Sequence, residues 1–186
     1  MMSELTTKPV NLRNRDAKRI YFEAFTKNER MPYPLMIAMS KLWHTDFLIF
    51  YDEKTPVGII YLAKNRRLVF VMFFAVTQEL RGHGYGSAIL QCVKEKYRKR
   101  IIVSIEPCDS NVSDIDIRKK RKAFYLKNGY AVTGYMMKLS GIEQEILISG
   151  GDFNRREFKA FFALYSNGTV WPKIWEHKNK EKCNET

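Results

Sequence analysis

The chain has 186 residues, of which 45% are apolar and 28% charged, a composition that can bury a core and excludes global disorder. Its 32 Lys and Arg against 20 Asp and Glu leave a formal charge of +12. That charge points to an anionic partner: nucleic acid, a membrane surface or a phosphate-bearing cofactor. The longest apolar run, Leu68 to Val76, is far short of the roughly 18 residues of a spanning helix. The N-terminal MMSELTTKPV holds no apolar stretch of the kind a signal peptide needs. Cys92, Cys108 and Cys183 form no C-x-x-C pair, and His44, His83 and His177 lack metal-ligand spacing. These features predict reduced thiols in a cytoplasm, no metal and no membrane partner.

In chain order, Asn14 predicts an N-cap. Ala17, Ile20, Tyr21, Ala24 and Phe25 follow at the spacing of an amphipathic helix. Pro32 and Pro34 interrupt the pattern, and a second short helix is expected over Leu35 to Trp43. Three apolar runs come next, Phe47 to Tyr51, Val57 to Ala63 and Leu68 to Val76, separated by DEKTP and KNRR. They read as strands joined by hairpins, the second and third covered on both faces.

A polar hinge then leads to a helix striped with Ile89, Leu90, Val93 and Tyr97. Ile101 to Glu106 predicts a buried strand. Ser113 with Asp116 predicts a capped, basic helix that ends at Asn128-Gly129. Tyr130 to Leu139 and Glu143 to Ile148 predict a strand pair. Asn154 opens a last helix whose stripe of Phe158, Phe161, Phe162 and Tyr165 reads as core or as a homodimer seam. From Glu176 to Thr186 the tail is polar and is expected to fray. The fold class is therefore α/β with a mixed sheet: one domain over residues 1–149 and a C-terminal helical extension, residues 150–186, on the same domain.

The strongest local signal is Arg81-Gly82-His83-Gly84-Tyr85-Gly86-Ser87, lying between a buried strand and a helix. Glycines there let the backbone approach a ligand closely, and helix N-terminal amides offer donors and partial positive charge to a pyrophosphate. A P-loop is excluded, because no Lys follows any of these glycines. A dinucleotide fingerprint needs a third glycine where Ser87 or Ile89 stands. Glu106 does fall about where the ribose-binding acid would, but five residues, Thr77 to Arg81, four of them polar, separate strand from glycine.

The segment FFAVTQELRGHGYGSAIL resembles the cofactor motif of the GNAT acyltransferase superfamily over its whole length, and RKAFYLKNGY (Arg121 to Tyr130) resembles that family's later helix end. The likeness runs from about Leu12 to Ile148. It implies a mostly antiparallel sheet that splays at the cofactor site. It also implies transfer of an acetyl group from acetyl-CoA, acting as the acetyl donor, to an amine of a small molecule or peptide. The amides of Arg81, Gly82, His83, Gly84, Tyr85, Gly86 and Ser87 would hold the pyrophosphate, and Ala75 and Val76 would pair with the pantetheine arm. Tyr125 stands where many members keep a general acid, the alternative being plain packing beside Phe124.

As base, Glu106 is expected to be desolvated at a strand end, with a raised pKa; a surface role is its alternative. The strand Phe70 to Val76 carries no carboxylate, so water could relay the proton instead. His83, Arg118 and Lys122 are candidates for the 3′-phosphate. Two other functions remain open: a basic nucleic-acid- or ribosome-associated module, and a CoA-binding sensor without turnover. No RNP-type, helix-turn-helix or zinc motif is present, so nucleic acid is disfavoured as a partner. The acceptor is not readable, because specificity in such folds lies in variable loops.

Overall fold

Strand-period and helix-period segments are realised as eight strands and five α-helices among the residues described by the computed structural model, which are 4–42, 44–108, 113–139, 141–166, 168 and 170–177. The chain divides into two units, Met1–Ile101 and Ile102–Thr186.

In the first unit α1 (Arg15–Ala24) begins where Asn14 predicts. The Asn14 side-chain oxygen accepts from the Ala17 amide at 2.9 Å, a cap of about 1 kcal/mol. Ala17, Ile20 and Tyr21 are its buried stripe. Arg30 closes its far end by donating to the carbonyls of Phe25 and Phe22, which lack helical partners at the negative end of the dipole. Helix α2 covers Tyr33–Ser40, not Leu35 to Trp43; Trp43 itself lies outside the described residues. Pro34 sits in its first turn, where no N–H is needed and the fixed φ suits a helix, so the proline starts the helix it was expected to exclude.

Strands β1 (Thr6–Pro9), β2 (Thr45–Asp52), β3 (Thr55–Lys64) and β4 (Leu68–Val76) lie in that order, each antiparallel to the next. β1 has no sequence pattern of its own. Its pairing, with Thr7 opposite Phe50 and Pro9 opposite Leu48, is what makes it a strand, and Pro9 suits an edge because it has no N–H to leave unpaired.

β3 is buried on both faces from Val57 to Ala63, and β4 from Leu68 to Val71 and at Ala75, while Met72, Phe73, Phe74 and Val76 are half-buried. One face sets Phe47, Ile49, Ile59, Tyr61 and Ala75 against Ala17, Ile20, Tyr21, Tyr33, Met36 and Ile37. Its rings meet edge-on: Tyr21 with Phe73 at 5.4 Å and Phe47 with Tyr61 at 5.5 Å between centroids. The Tyr21 hydroxyl donates to the Met31 carbonyl at 3.0 Å and accepts from its amide at 2.8 Å, which ties the α1–α2 connection to the core. The other face receives α3 (Tyr85–Tyr97) at Gly58. Tyr61 pairs with Phe73 but Leu62 with Val71, so Met72 is an extra residue. This bulge brings Met72 and Phe73 together against the α1–α2 cluster.

Strand β5 (Arg100–Ile105) crosses the division between the units. The second unit contains α4 (Ile115–Lys127), β6 (Ala131–Leu139), β7 (Ile142–Ser149), α5 (Arg155–Tyr165) and β8 (Lys173–Glu176). β6 is antiparallel to both β7 and β8. β8 arises where no element was predicted and ends on Glu176, the first residue of the tail expected to fray: Ile174 is buried at 2% exposure and Met136 pairs with Trp175. Residues 178–186 lie outside the described set.

Helix α5 starts as its N-x-x-E pattern predicts, the Asn154 side chain accepting from the Glu157 amide at 3.0 Å. Phe158, Phe161 and Phe162 are core of this unit. The Ser113–Asp116 cap does not form. Asp114 is the N-cap residue and makes no side-chain cap bond, because its carboxylate accepts from Arg118 at 2.9 Å instead.

At Gly58 an added Cβ would stand 2.6 Å from the Ala75 carbonyl oxygen and 2.7 Å from Ile89 Cδ1. Gly58→Ala should therefore destabilise the protein by roughly 1–3 kcal/mol, the usual cost of overpacking. Urea unfolding measures it, and an unchanged midpoint would mean that α3 is not seated on β3 this closely.

Candidate active site

The glycine loop begins from a fixed point. Thr77, just past β4, donates its amide to the Val57 carbonyl at 2.9 Å and its hydroxyl to the Pro56 carbonyl at 2.8 Å. A single 3₁₀ turn, Gln78–Leu80, carries the chain outward. Gly82 and Gly84 then take φ values of 83° and 88°, a left-handed backbone open to glycine at little cost. At Gly82 nothing lies within 4 Å of an added Cβ, so this glycine serves backbone direction and not space.

Gly84 is the N-cap of α3 and has no side chain with which to cap it. The ladder starts at the Ala88 amide, which donates to the Gly84 carbonyl at 3.1 Å, so the amides of Tyr85, Gly86 and Ser87 have no acceptor within the helix. No acidic residue stands in that first turn. The loop from Arg81 to Gly84 is exposed. Donors and partial positive charge of this kind are able to accept an anion such as a phosphate.

Several side chains hold this loop in shape. The Tyr85 hydroxyl donates to the Asp52 carboxylate at 2.7 Å, joining the start of α3 to the β2–β3 turn. Sequence reasoning took Tyr85 for its amide alone and missed this anchor, which spans 33 positions. His83 Nδ1 lies 3.0 Å from the Arg81 carbonyl oxygen. Arg81 Nε donates to the Val76 carbonyl at 3.4 Å. Ala75 is buried and Val76 partly exposed, paired with Ile59 and Gly58 on the β3 side. All the expected cofactor residues, Ala75, Val76 and Arg81 to Ser87, thus lie together in the first unit.

The second unit brings Tyr125 and Glu106 into one cluster through Arg121. Tyr125 is buried on α4, its ring edge-on to Phe124 at 5.2 Å and to Tyr130 at 5.4 Å. Burial pushes its hydroxyl up to about 12, against a lowering by Arg121 and with a smaller raising by Glu106. Glu106 departs from expectation. Burial does raise its carboxyl, but the Arg121 guanidinium that hydrogen-bonds it, a backbone hydrogen bond and the Arg121 and Arg118 charges outweigh burial and hold it below the ordinary glutamate value. The strand end is desolvated as foreseen; the partner from α4, fifteen positions away, was not foreseen.

The phosphate-binding candidates on α4 are also engaged within this unit. Arg118 donates to Asp114 at 2.9 Å and to the Pro107 carbonyl at 3.3 Å, and Lys122 donates to the largely buried Glu145 at 2.9 Å.

A model of the acetyltransferase (GNAT) domain matches residues 43–132. No curated relative matches the chain. Among solved structures, a GNAT-family protein from Bacteroides thetaiotaomicron superposes with a TM-score of 0.69 at 18% identity, covering 87% of this chain and 94% of that one. An aminoglycoside 6′-N-acetyltransferase complexed with coenzyme A gives 0.61 at 10% identity, over 77% and 96%. A GNAT family acetyltransferase from Elizabethkingia anophelis with acetyl-CoA bound gives 0.51 at 13% identity, over 78% and 95%. At these identities the likeness is one of fold.

The Glu106–Arg121 pair has a consequence for acid stability. A carboxyl held below its ordinary value of 4.5 adds stability that is complete above that pH and fades as pH falls through the lower folded value. Glu106→Gln should therefore lower the melting temperature at pH 7 and flatten its fall between about pH 5 and pH 3. Scanning calorimetry across that range tests this, and parallel curves for the two proteins would refute the pairing.

Proposed function

We propose that the chain, whose residues 43–132 match a model of the GNAT acetyltransferase domain, moves an acetyl group from acetyl-CoA to a primary amine of a small molecule or peptide. The observation that carries this reading is the uncapped, glycine-led N-terminus of α3, which presents amides without helical acceptors and no acidic side chain in its first turn. The residues present fit the donor. The amides of Arg81 to Ser87 would hold the pyrophosphate, with Arg81 adding a full charge, and the backbone of Ala75 and Val76 would take the pantetheine arm. Acetyl-CoA supplies the activated acyl carbon. Cys92 and Cys108 are free thiols, which fits the reducing cytoplasm in which we place the protein.

Proton traffic sets the roles of the second unit. From the neutral amine the attacking nitrogen loses one proton and the departing sulfur gains one; from the ammonium form one further proton is released. A free alkylamine titrates near 10.4 and is mostly charged at neutral pH. It must be deprotonated before it attacks. Tyr125, pushed to about 12, stays protonated through the neutral range and is available as a donor to the departing sulfur. Glu106, held ionised by Arg121, is too weak a base to capture an ammonium proton efficiently. In this reading it positions Arg121, and water carries the amine proton away.

Two measurements test these roles. Saturating acetyl-CoA should raise the melting temperature by several degrees, a ligand at 100 times its Kd adding about 2.7 kcal/mol. Gly84→Val, which forces a β-branched residue to φ 88°, should abolish the shift. A wild-type protein that melts at the same temperature with millimolar acetyl-CoA would defeat the assignment. Thiol release across a panel of amines, peptides and aminoglycosides then identifies the acceptor. With that acceptor, Tyr125→Phe should lower kcat roughly a hundredfold or more, the low end for losing an acid–base group, with the acetyl-CoA melting shift preserved. An unchanged kcat would reduce Tyr125 to a packing residue.

A further inference from the structure

At the far end of α3 from the glycine loop, the first unit concentrates positive charge that one cofactor cannot use. Lys94–Arg100 carries five Lys or Arg and one Glu in seven residues, and the β3–β4 turn adds Lys64, Arg66 and Arg67. The two segments are tied together: Lys99 Nζ donates to the Asn65 carbonyl at 2.7 Å. Asp46 is already engaged, accepting from Lys64 Nζ at 2.5 Å and from the Tyr97 hydroxyl at 2.6 Å. Arg66, Arg67 and Arg98 are exposed and join no ion pair among the described residues. Arg98 also takes φ 48° at the C-cap of α3, a left-handed position where glycine is the unstrained choice. The structure thus tolerates both mutual repulsion and backbone strain to hold guanidinium groups here. The 13 residues of α3 put about 20 Å between this end and the glycine loop, so the phosphates of the acetyl donor do not account for it.

We propose that this patch binds the phosphate backbone of a nucleic-acid duplex without reading its sequence. Cations spread over two tethered segments suit a row of phosphates, and arginine forks suit phosphate oxygens. A single-stranded ligand would call for exposed rings on which bases stack. The aromatic ring at this end, Tyr97, is engaged by Lys64 and Lys96 at 5.9 and 6.0 Å. Lack of a base-reading motif is no obstacle, because phosphate contacts need none.

The test is fluorescence anisotropy of the whole protein with labelled RNA and DNA duplexes of about 20 base pairs, titrated with NaCl. The expected result is binding to one or both, indifferent to base sequence, with log affinity falling linearly and steeply with log salt; the two arms tell which duplex is preferred. R66E/R67E should weaken binding at least tenfold. K119E/K120E makes the same charge change on exposed residues of α4 in the second unit and should weaken it less than twofold. If R66E/R67E melts below the wild type, K96E takes its place. Equal losses in the two double variants, no duplex binding at 50 mM salt, or displacement by polyglutamate as readily as by unlabelled duplex would each overturn the proposal. The acetyl-CoA melting shift, read on the same variants, keeps this outcome separate from that of the acetyltransferase reading.

Discussion

A helix that starts without a side-chain cap must find acceptors for its first amides elsewhere, and α3 starts this way at Gly84. Serine or aspartate there would satisfy an amide from within. Glycine in the left-handed region instead turns the chain sharply and leaves the donors for an external anion. The surroundings hold that arrangement. Thr77 pins the exit of β4 to β3, Ile89 seats the helix where Gly58 leaves room, and Tyr85 ties the first turn to Asp52.

Charge follows a different logic. The +12 of the whole chain is not spread evenly as binding capacity. On α4 three of the five cations in Arg118–Lys122 are paired locally, Arg118 with Asp114, Arg121 with Glu106 and Lys122 with Glu145, while Lys119 and Lys120 are exposed. Of these pairs, Arg121 and Glu106 act on Tyr125, whose burial dominates. At the C-terminal end of α3, lysines and arginines outnumber acids four to one, counting Asp46 and Glu95 against the turn and the helix end. Net charge thus predicts an anionic partner without telling which cations are still available to meet it.

Strong local signals survived folding unchanged. Leu68 to Val76 is a strand over the expected residues, because nine successive apolar side chains admit few solvated conformations. Asn14 and Asn154 cap their helices through bonds that span three residues. The glycine loop sits where its spacing placed it. Signals that failed were those in which a distant partner intervened. Asp114 turned to Arg118 and not to a cap, and β1 and β8 became strands only because β2 and β6 offered edges. Met72 became a bulge through register with β3, which no periodicity along β4 displays.

The sequence by itself determined the class of the fold, the order of most elements and the position of the glycine loop. Each follows from interactions among residues a few positions apart: apolar periodicity, caps and glycine conformations. Only the tertiary structure decided what the chemical groups are. Whether Glu106 is a raised or a lowered carboxylate depends on Arg121, fifteen positions away, and whether Tyr85 is merely a helix residue or an anchor depends on Asp52, thirty-three positions away. Protonation and orientation respond to distance in space, which local sequence patterns do not encode.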